Sequence, residues 1–182
     1  MKILVACEYS GIIRHEFELR GHDVISCDFL PTEMSGRHYT GNVLDIIYEN
    51  WDMLIGHPTC TYLCNSGVRW MTMKRYMDCL EGSQFFYTLW NSGIHKICLE
   101  NPIPHKYAAL PKYSQIVQPW QYGHGETKAT CLWLKGLLPL KSTNIVDGRL
   151  QRMHLMAPGV NRSKERSKTY TGIAKAMAEQ WG

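Results

Sequence analysis

Short apolar runs alternate with amphipathic or polar stretches along the whole chain. Most of these runs are continuous rather than alternating in polarity, which is typical of strands that are buried on both faces of a sheet. They lie at 2–7, 22–29, 53–55, 94–99 and 129–134. Strands that alternate with helices favour a parallel sheet with helices on both faces. The pattern therefore predicts an α/β fold, a single doubly wound, Rossmann-like domain over residues 1–182 with a mostly parallel sheet.

Amphipathic stretches between the apolar runs predict helices. They lie at 12–20, at 68–91 with an interruption expected near Gly82, and at 171–181. Gly21 follows the first stretch directly and is a natural helix terminator. The segments 30–41 and 102–130 are rich in turn residues or proline, so we expect irregular surface structure there.

The composition is that of an ordinary globular protein. With 182 residues, of which 45% are hydrophobic and 20% charged, the chain can bury a sizeable core without a metal or a disulfide staple. No apolar run approaches the ~18 residues of a membrane span, and the apolar stretch at the start is too short for a signal peptide. We expect a cytoplasmic protein with reduced cysteines, no bound metal and no membrane partner.

Positive charge is concentrated in the segment 149–168. The formal net charge of the chain is +4, and this segment carries six basic residues against one acidic residue, Glu165. The basic residues are Arg149, Arg152, Arg162, Lys164, Arg166 and Lys168. A basic segment on a nearly neutral body suits a polyanionic partner such as DNA, because each neutralised phosphate releases counterions. A solvated basic loop without a partner is the alternative.

Reactive side chains follow the ends of three predicted strands. Asp28 ends the second strand, where a carboxylate can bind both hydroxyls of an adenosine ribose. Cys60 follows the strand at 53–55, and Glu100 follows the strand at 94–99. Because ligands of α/β proteins bind at the carboxyl ends of strands, we predict Cys60 as a nucleophile and Glu100 as its acid or hydrogen-bond donor. The alternatives are that Asp28 merely begins a turn and that Cys60 is an ordinary loop cysteine.

Two zinc interpretations of the cysteine loop have weaker support. The residues of ligand type are His57, Cys60, Cys64 and Cys79. A Cys-x-x-x-Cys spacing without a second matched pair is a weak metal signature. A zinc deaminase would need His-x-Glu before Pro-Cys-x-x-Cys. Here His124-Gly125-Glu126 comes after the cysteines, and Pro58 and the two cysteines have a different spacing.

An ordered set of motifs resembles those of S-adenosylmethionine-dependent cytosine-C5 DNA methyltransferases. The motifs are Glu8-Tyr9-Ser10-Gly11, Asp28, Asp45, Pro58-Thr59-Cys60 and Glu100-Asn101-Pro102. The sequence looks still more like the short phage-encoded type, with the phrases Cys60-Thr61-Tyr62-Leu63, Gln118-Pro119-Trp120 and the CLWLKGL of residues 131–137. The resemblance covers most of the chain and rests on the order of the motifs along successive strand ends.

The resemblance implies a cofactor site. The fold would be a methyltransferase domain without a separate target-recognition domain, and its final helix would pack beside the first turn. The cofactor would be S-adenosylmethionine, with its ribose on Asp28 and its adenine near Asp45. The implied cofactor-binding residues are Cys7, Glu8, Tyr9, Ser10, Gly11, Asp28, Phe29, Asp45 and Pro58.

The resemblance also implies a reaction, the transfer of a methyl group to C5 of cytosine in DNA. Cytosine C5 is a poor nucleophile, and addition of a thiolate to C6 makes it enamine-like. Cys60 would supply that thiolate, Glu100 would face N3 of the ring, and Asn101 would hold the loop. The basic residues of the segment 149–168 would then contact DNA phosphates.

Departures from the family pattern leave the substrate open. Thr59 is inserted before Cys60, and Thr61 stands where the family has glutamine. No Gln-x-Arg-x-Arg motif is present, so the residue that would hold O2 of the cytosine is unassigned. The candidates for that role are Arg149, Arg152 and Lys128. The substrate is DNA or a free pyrimidine nucleotide, and a non-catalytic protein that binds the cofactor or DNA is the remaining alternative.

Overall fold

Strands and helices alternate along the chain in the structure, a computed structural model that describes residues 1–65, 68, 71–160 and 162–182. The strands are β1 (Lys2–Ala6), β2 (Asp23–Asp28), β3 (His38–Thr40), β4 (Met53–Gly56), β5 (Lys96–Pro102), β6 (Gln115–Val117) and β7 (Thr130–Lys135). The helices are α1 (Ile12–Glu18), α2 (Met73–Trp90), α3 (Arg152–Leu155), α4 (Arg162–Ser167) and α5 (Thr171–Trp181). Short 3₁₀ turns lie at Val43–Asp45, Lys106–Ala108 and Pro119–Gln121.

The described strands form one sheet in the order β3-β2-β1-β4-β5-β7-β6. Strands β1 to β5 pair in parallel, whereas β7 runs antiparallel to both of its neighbours, β5 and β6. The chain moves outward from β1 to β2 and β3 on one side, and then to β4 and β5 on the other. The predicted α/β fold with a doubly wound, mostly parallel sheet is therefore confirmed.

Successive residues of the central strand supply two apolar cores, one on each face of the sheet. Ile3 of β1 belongs to one core with Phe17 of α1 and Met177 of α5. The next residue, Leu4, belongs to the other core with Phe86 of α2. Side chains of a strand point alternately to its two faces, so the continuous apolar run of β1 is what two covered faces require. Helix α5 packs against α1, the helix that follows the first turn.

Helix α2 is continuous, so the interruption predicted near Gly82 was wrong. A Cβ atom at Gly82 would lie 3.3 Å from Cδ2 of Leu63, which is fully buried. The glycine thus permits close packing on the segment after β4, and its cost of about 1 kcal/mol relative to alanine in a helix does not break the helix. Of the predicted stretch, Arg69 and Trp70 lie outside the described residues. No helix in the described part of the chain is long and apolar enough to span a membrane.

Two short strands lie in segments that were predicted to be irregular. Strand β3 lies within 30–41 and β6 within 102–130, and each pairs at one edge of the sheet. Three residues are too few to show a hydrophobic period, which is why the sequence did not reveal them. Strand β5 is longer than predicted and ends at Pro102, so Glu100 and Asn101 are strand residues rather than loop residues.

Arg14 is fully buried and joins helix α1 to the segment before β3. Its Nη2 donates to the carbonyl oxygens of Met34 at 2.6 Å and Ser35 at 2.9 Å, and its Nη1 donates to Oγ of Ser26 at 2.7 Å. Its Nε lies 3.5 Å from the carboxylate of Glu18. A buried charge is tolerated when it is paired and hydrogen-bonded in this way.

We expect Arg14→Met to lower the free energy of unfolding by about 2–4 kcal/mol, because it leaves buried carbonyl and hydroxyl oxygens without a donor. Arg20→Met is the matched control. Arg20 is partly exposed and pairs with Glu16 and Glu179, so its replacement should cost about 0–1 kcal/mol. Urea denaturation of the three proteins measures both values. Equal losses in the two variants would contradict a special role for Arg14.

Candidate active site

The carboxyl ends of β1, β2, β4 and β5 lie along one edge of the sheet. Connections leave β1 towards opposite sides there, and open α/β sheets bind ligands at such a switch point. Two adjoining cavities open at this edge, with volumes of about 480 and 470 Å3. We name them the Cys60 cavity and the Phe29 cavity. Cys7, Asp28 and Thr59 line both of them.

The Cys60 cavity contains all three residues that were predicted to be catalytic, Cys60, Glu100 and Asn101. Its wall also includes many of the predicted cofactor-binding residues. These are Cys7, Glu8, Tyr9, Ser10, Asp28 and Pro58. Residues that are far apart in the sequence thus converge on one cavity, as their positions at successive strand ends predicted.

Asn101 ties together the two strand ends that carry the predicted catalytic pair. Its side chain is buried, and its Nδ2 donates to the carbonyl oxygen of Pro58 at 3.0 Å. Strands β4 and β5 are parallel neighbours, with Gly56 beside Leu99. The loop that carries Cys60 therefore starts next to Glu100 and is held there by a hydrogen bond.

The chain makes one helical turn between Cys60 and Cys64, which brings the two cysteines side by side. The backbone N–H of Cys64 donates to the carbonyl oxygen of Cys60 at 3.2 Å. A side-chain hydrogen bond to Cys64, together with burial, raises the pKa of the Cys60 thiol well above its usual range, and the charge of Lys128 acts weakly in the opposite direction. Cys60 is therefore a protonated thiol at neutral pH in this state and must lose its proton before it can attack.

Lys128 is a cation in the wall of the Cys60 cavity. Burial lowers the pKa of its ammonium group, whereas the negative charge of Glu100, and that of Cys60 once the thiol is ionised, act to raise it. Its Nζ donates to the carbonyl oxygen of Lys168 at 3.1 Å. The sequence suggested this lysine only as one of three candidates for O2 of the cytosine. Lys128 lies near Glu100 because β7 pairs antiparallel with β5. No local sequence pattern predicts that pairing.

Glu8 is buried in the turn after β1 and caps the start of α1. One carboxylate oxygen accepts from the backbone N–H of Ile13 at 2.7 Å and from Oγ of Ser10 at 3.2 Å. Burial raises the pKa of Glu8, and the nearby imidazole of His57 has the opposite effect. The first role of Glu8 is thus to organise the turn that forms one wall of the cavity.

His57 was missed as a site residue, since the sequence singled it out only as a ligand type for zinc. It lines the Cys60 cavity, and its Nδ1 lies 3.6 Å from Oε2 of Glu100. The signal that could have found it is its position, immediately after β4 and before Pro58.

The Phe29 cavity adjoins the end of β2. It is lined by Asp28, Phe29, the segment 42–44 at the start of the first 3₁₀ turn, and the face of α2 that carries Asp78, Glu81 and Phe85. Phe29 is 74% exposed, which is unusual for a large aromatic side chain. A carboxylate and an accessible aromatic ring in a largely apolar wall are suited to a nucleoside. The residues present therefore fit the adenosine part of S-adenosylmethionine.

Two predicted cofactor-binding residues, Gly11 and Asp45, are not in the wall of either cavity. Asp45 accepts a hydrogen bond from the hydroxyl of Tyr39 at 3.0 Å, and Asn42, at the start of the same 3₁₀ turn, lines the Phe29 cavity instead. Gly11 begins α1 in a left-handed conformation with φ of 74°, and a Cβ there would lie 2.8 Å from Nη2 of Arg14. Gly11 therefore shapes the turn from behind the wall.

Helix α4 and the residue that follows it place three of the predicted DNA-contacting residues, Lys164, Arg166 and Lys168, in the wall of the Cys60 cavity. Glu33 pairs with Lys164 at 3.0 Å and with Lys168 at 2.9 Å. The hydroxyl of Tyr9 donates to the carbonyl oxygen of Lys164 at 2.5 Å. These contacts hold the second half of the basic segment at the wall of the cavity, and Glu33 neutralises part of its positive charge.

The other three predicted DNA-contacting residues lie outside the wall of the Cys60 cavity. They are Arg149, Arg152 and Arg162. The guanidinium of Arg149 lies 3.9 Å from the ring centroid of Trp120, and Arg152 pairs with Glu126 at 2.9 Å. A nucleic acid that touched all six basic residues would extend beyond the mouth of the cavity.

The zinc interpretation finds no matching geometry among the residues that the structure describes, where no group of three or more His, Cys, Asp or Glu side chains could hold a metal ion. The sulfur of Cys79, a buried residue of α2, lies 4.0 Å from Nε2 of His105. Neither residue lines the Cys60 cavity.

Comparison with solved structures shows which proteins share this fold. A prophage-encoded protein of E. coli, described as a DNA modification methyltransferase, matches 88% of this chain over 56% of its own length, with a TM-score of 0.51 and 12% identity. The Entamoeba histolytica methyltransferase EhMeth matches 90% of this chain over 62% of its own length, with a TM-score of 0.50 and 14% identity. The chain therefore spans less than two thirds of the length of either protein. No family model and no curated protein matches the sequence. The chain has the α/β fold of these two methyltransferases.

Proposed function

We propose that this chain transfers a methyl group from S-adenosylmethionine to C5 of cytosine in DNA through a covalent adduct with Cys60, as a member of the short phage-encoded type of the family. The observation that carries the proposal is the placement of Cys60 and Glu100 in one cavity, on neighbouring strand ends joined by the hydrogen bond from Asn101 to Pro58. A thiol and a carboxyl group that face one cavity are what this reaction requires.

Cys60 and Glu100 act on opposite parts of the ring. The Cys60 thiolate donates its electron pair to C6, the C5=C6 pair moves to C4–C5, and the C4=N3 pair moves onto N3, which takes a proton from Glu100. The charge of Lys128 faces both groups and stabilises the thiolate before it attacks. C5 is then electron-rich enough to accept a methyl group.

The walls of the two cavities divide the binding of the cofactor between them. Asp28 and Phe29 would hold its adenosine part, and the turn from Glu8 to Ser10 would lie beside its methionine part. When bound, S-adenosylmethionine supplies an electrophilic methyl group on a sulfonium. Because the two cavities share wall residues, an adenosine bound in the Phe29 cavity would lie next to the Cys60 cavity.

Asp28→Ala should weaken the binding of S-adenosylmethionine by about 1–3 kcal/mol, because it removes the acceptor for the ribose hydroxyls. Titration calorimetry measures the change. Asp23→Ala, at the opposite end of the same strand, is the matched control and should leave the affinity unchanged. An unaltered affinity in Asp28→Ala would remove this residue from the site.

Binding to duplex DNA should depend steeply on salt, with a log–log slope of roughly −3 to −5 if three to five phosphates are contacted. Replacing Arg162, Lys164 and Arg166 together with glutamine should flatten the slope by about 3. Glu33→Gln should strengthen binding at low salt, because it releases Lys164 and Lys168 from their acidic partner. Lys175→Gln, on the exposed side of α5, is the neutral control. An unchanged slope in the triple variant would contradict phosphate contacts by this segment.

The proposal is tested by incubating the protein with radiolabelled S-adenosylmethionine and three acceptors in parallel: duplex DNA, single-stranded DNA and cytidine nucleotides. We expect label in DNA, with faster transfer to the single strand because a paired base must first leave its stack. Label in the free nucleotide alone would identify a nucleotide methyltransferase. Cofactor binding without transfer to any acceptor would identify a non-catalytic binding protein.

A further inference from the structure

His57 is fixed at the junction of three strands. Its backbone N–H donates to the carbonyl oxygen of Ala6 at the end of β1 at 3.0 Å, and the residue directly follows β4. Its imidazole ring is largely buried and lies 3.6 Å, from Nδ1 to Oε2, from Glu100 of β5. This distance is slightly longer than a hydrogen bond. Catalytic contacts of this kind are often long without substrate and shorten to hydrogen bonds when it binds.

Three buried polar atoms of this cavity have no hydrogen-bond partner within the described part of the protein. They are Nε2 of His57, Oε2 of Glu100 and Oδ1 of Asn101. Buried polar groups are nearly always paired, and exceptions mark functional sites or missing partners. The neighbouring Nδ2 of Asn101 is already engaged by Pro58, so the orientation of that amide is fixed. The three atoms belong to residues that line the Cys60 cavity, so its wall holds polar groups that the described chain itself does not pair.

The ionisable groups that face His57 come from each element around it. Glu8 belongs to the turn after β1, and Glu100 to β5. Lys128, before β7, and Cys60, in the loop after β4, interact with Glu100 or with each other in the same cavity. An imidazole placed among two carboxyl groups and a lysine can exchange a proton with the carboxyl group nearest to it, which here is that of Glu100.

We propose that His57 is a positioning residue that stores the proton which Glu100 delivers to the base. This inference rests on the proposed function. As the Cys60–C6 bond forms, the N3–H bond forms and the O–H bond of Glu100 breaks, and that O–H bond has itself been formed by transfer of the proton from Nδ1 of His57. When C5 has lost its own proton and the Cys60–C6 bond breaks, the N3 proton returns to Glu100 and His57. The adduct is neutral, and no other reactant is consumed.

The test compares the wild-type chain with His57→Gln, Glu100→Gln and the double variant, and measures the rate at which each becomes attached to single-stranded DNA that contains 5-fluorocytosine. We expect His57→Gln to react on the order of 10- to 100-fold more slowly. The double variant should react no more slowly than Glu100→Gln alone, because His57 acts only through Glu100. Thermal unfolding establishes that each variant is folded, and His57→Asn replaces His57→Gln if the latter is not.

The pH profile separates proton storage from a structural role. Ionisation of the Cys60 thiol raises the rate with pH in both chains, so the ratio of the wild-type rate to the His57→Gln rate is the quantity to compare. This ratio should fall as pH rises, because only the wild type can lose a stored proton, and it should not change with pH if the role of His57 is structural. The inference would be overturned if the rate losses of the two single variants add in the double variant, or if the rate and its dependence on pH are the same in His57→Gln and the wild type. Either result would leave the proposed function standing. A wild-type chain that forms no adduct at any pH would overturn both.

Discussion

Cys60→Ser should form no covalent adduct with DNA that contains 5-fluorocytosine, whereas the wild-type chain should remain attached to it in the presence of S-adenosylmethionine. Fluorine at C5 cannot leave as a proton does, so the reaction stops after methyl transfer with the Cys60–C6 bond intact. A serine hydroxyl is a far weaker nucleophile than a thiolate at neutral pH. Electrophoresis under denaturing conditions detects the attached protein, and mass mapping of the trapped peptide identifies the residue.

Cys64 provides the matched control, since it lies one helical turn from Cys60 in the same loop. Cys64→Ala should still form the adduct, and at neutral pH it should form it faster than the wild type. The hydrogen bond to Cys64 is the first cause that raises the pKa of the Cys60 thiol. Its removal lowers that pKa and enlarges the thiolate fraction, so the rising limb of the pH profile should move to lower pH. A trapped peptide that contains the modification at Cys64, or an active Cys60→Ser chain, would contradict the assignment.

Glu100→Gln should slow formation of the adduct by about 10²- to 10⁴-fold, the range usual for a positioned acid or base. Glutamine has the same shape and can still accept or donate a hydrogen bond, but it cannot deliver a proton to N3. The loss should therefore appear in the rate of a single turnover, with little change in the affinity for DNA. Glu179→Gln, on the exposed side of α5, is the carboxylate control. Equal rates for the two variants would mean that the proton reaches N3 by another route.

The sequence was sufficient to predict the fold class and the strand ends that form the cavities. Continuous apolar runs, such as the one in β1, identify strands covered on both faces, and the residues that follow such strands must meet at one edge of a parallel sheet. This is why the sequence alone places Cys60 and Glu100 together. The position of Asp28, at the end of the second strand, follows from the same rule.

The parts that could not be predicted depend on pairings between distant segments. Lys128 reaches the Cys60 cavity because β7 is antiparallel to β5, and strand direction is not encoded in a local pattern. The charge of the basic segment is reduced by Glu33, which is more than 130 residues away in the sequence from its two partners. His57 lies among residues from the ends of three strands, β1, β4 and β5. Each of these features is a property of the assembled sheet edge rather than of a motif.

Because the two cavities share part of their wall, binding in one cavity can affect binding in the other. Cys7, Asp28 and Thr59 each contact both spaces, so a molecule that fixes these residues from one side changes the free energy of binding on the other. Thermodynamic linkage makes such coupling reciprocal: if the proposed function holds and the cofactor strengthens the binding of DNA by some factor, DNA must strengthen the binding of the cofactor by the same factor. Thr59, the residue before Cys60, lies in that wall. Its side chain is thus in a position to set the strength of the coupling and, with it, how far the occupancy of one cavity depends on that of the other.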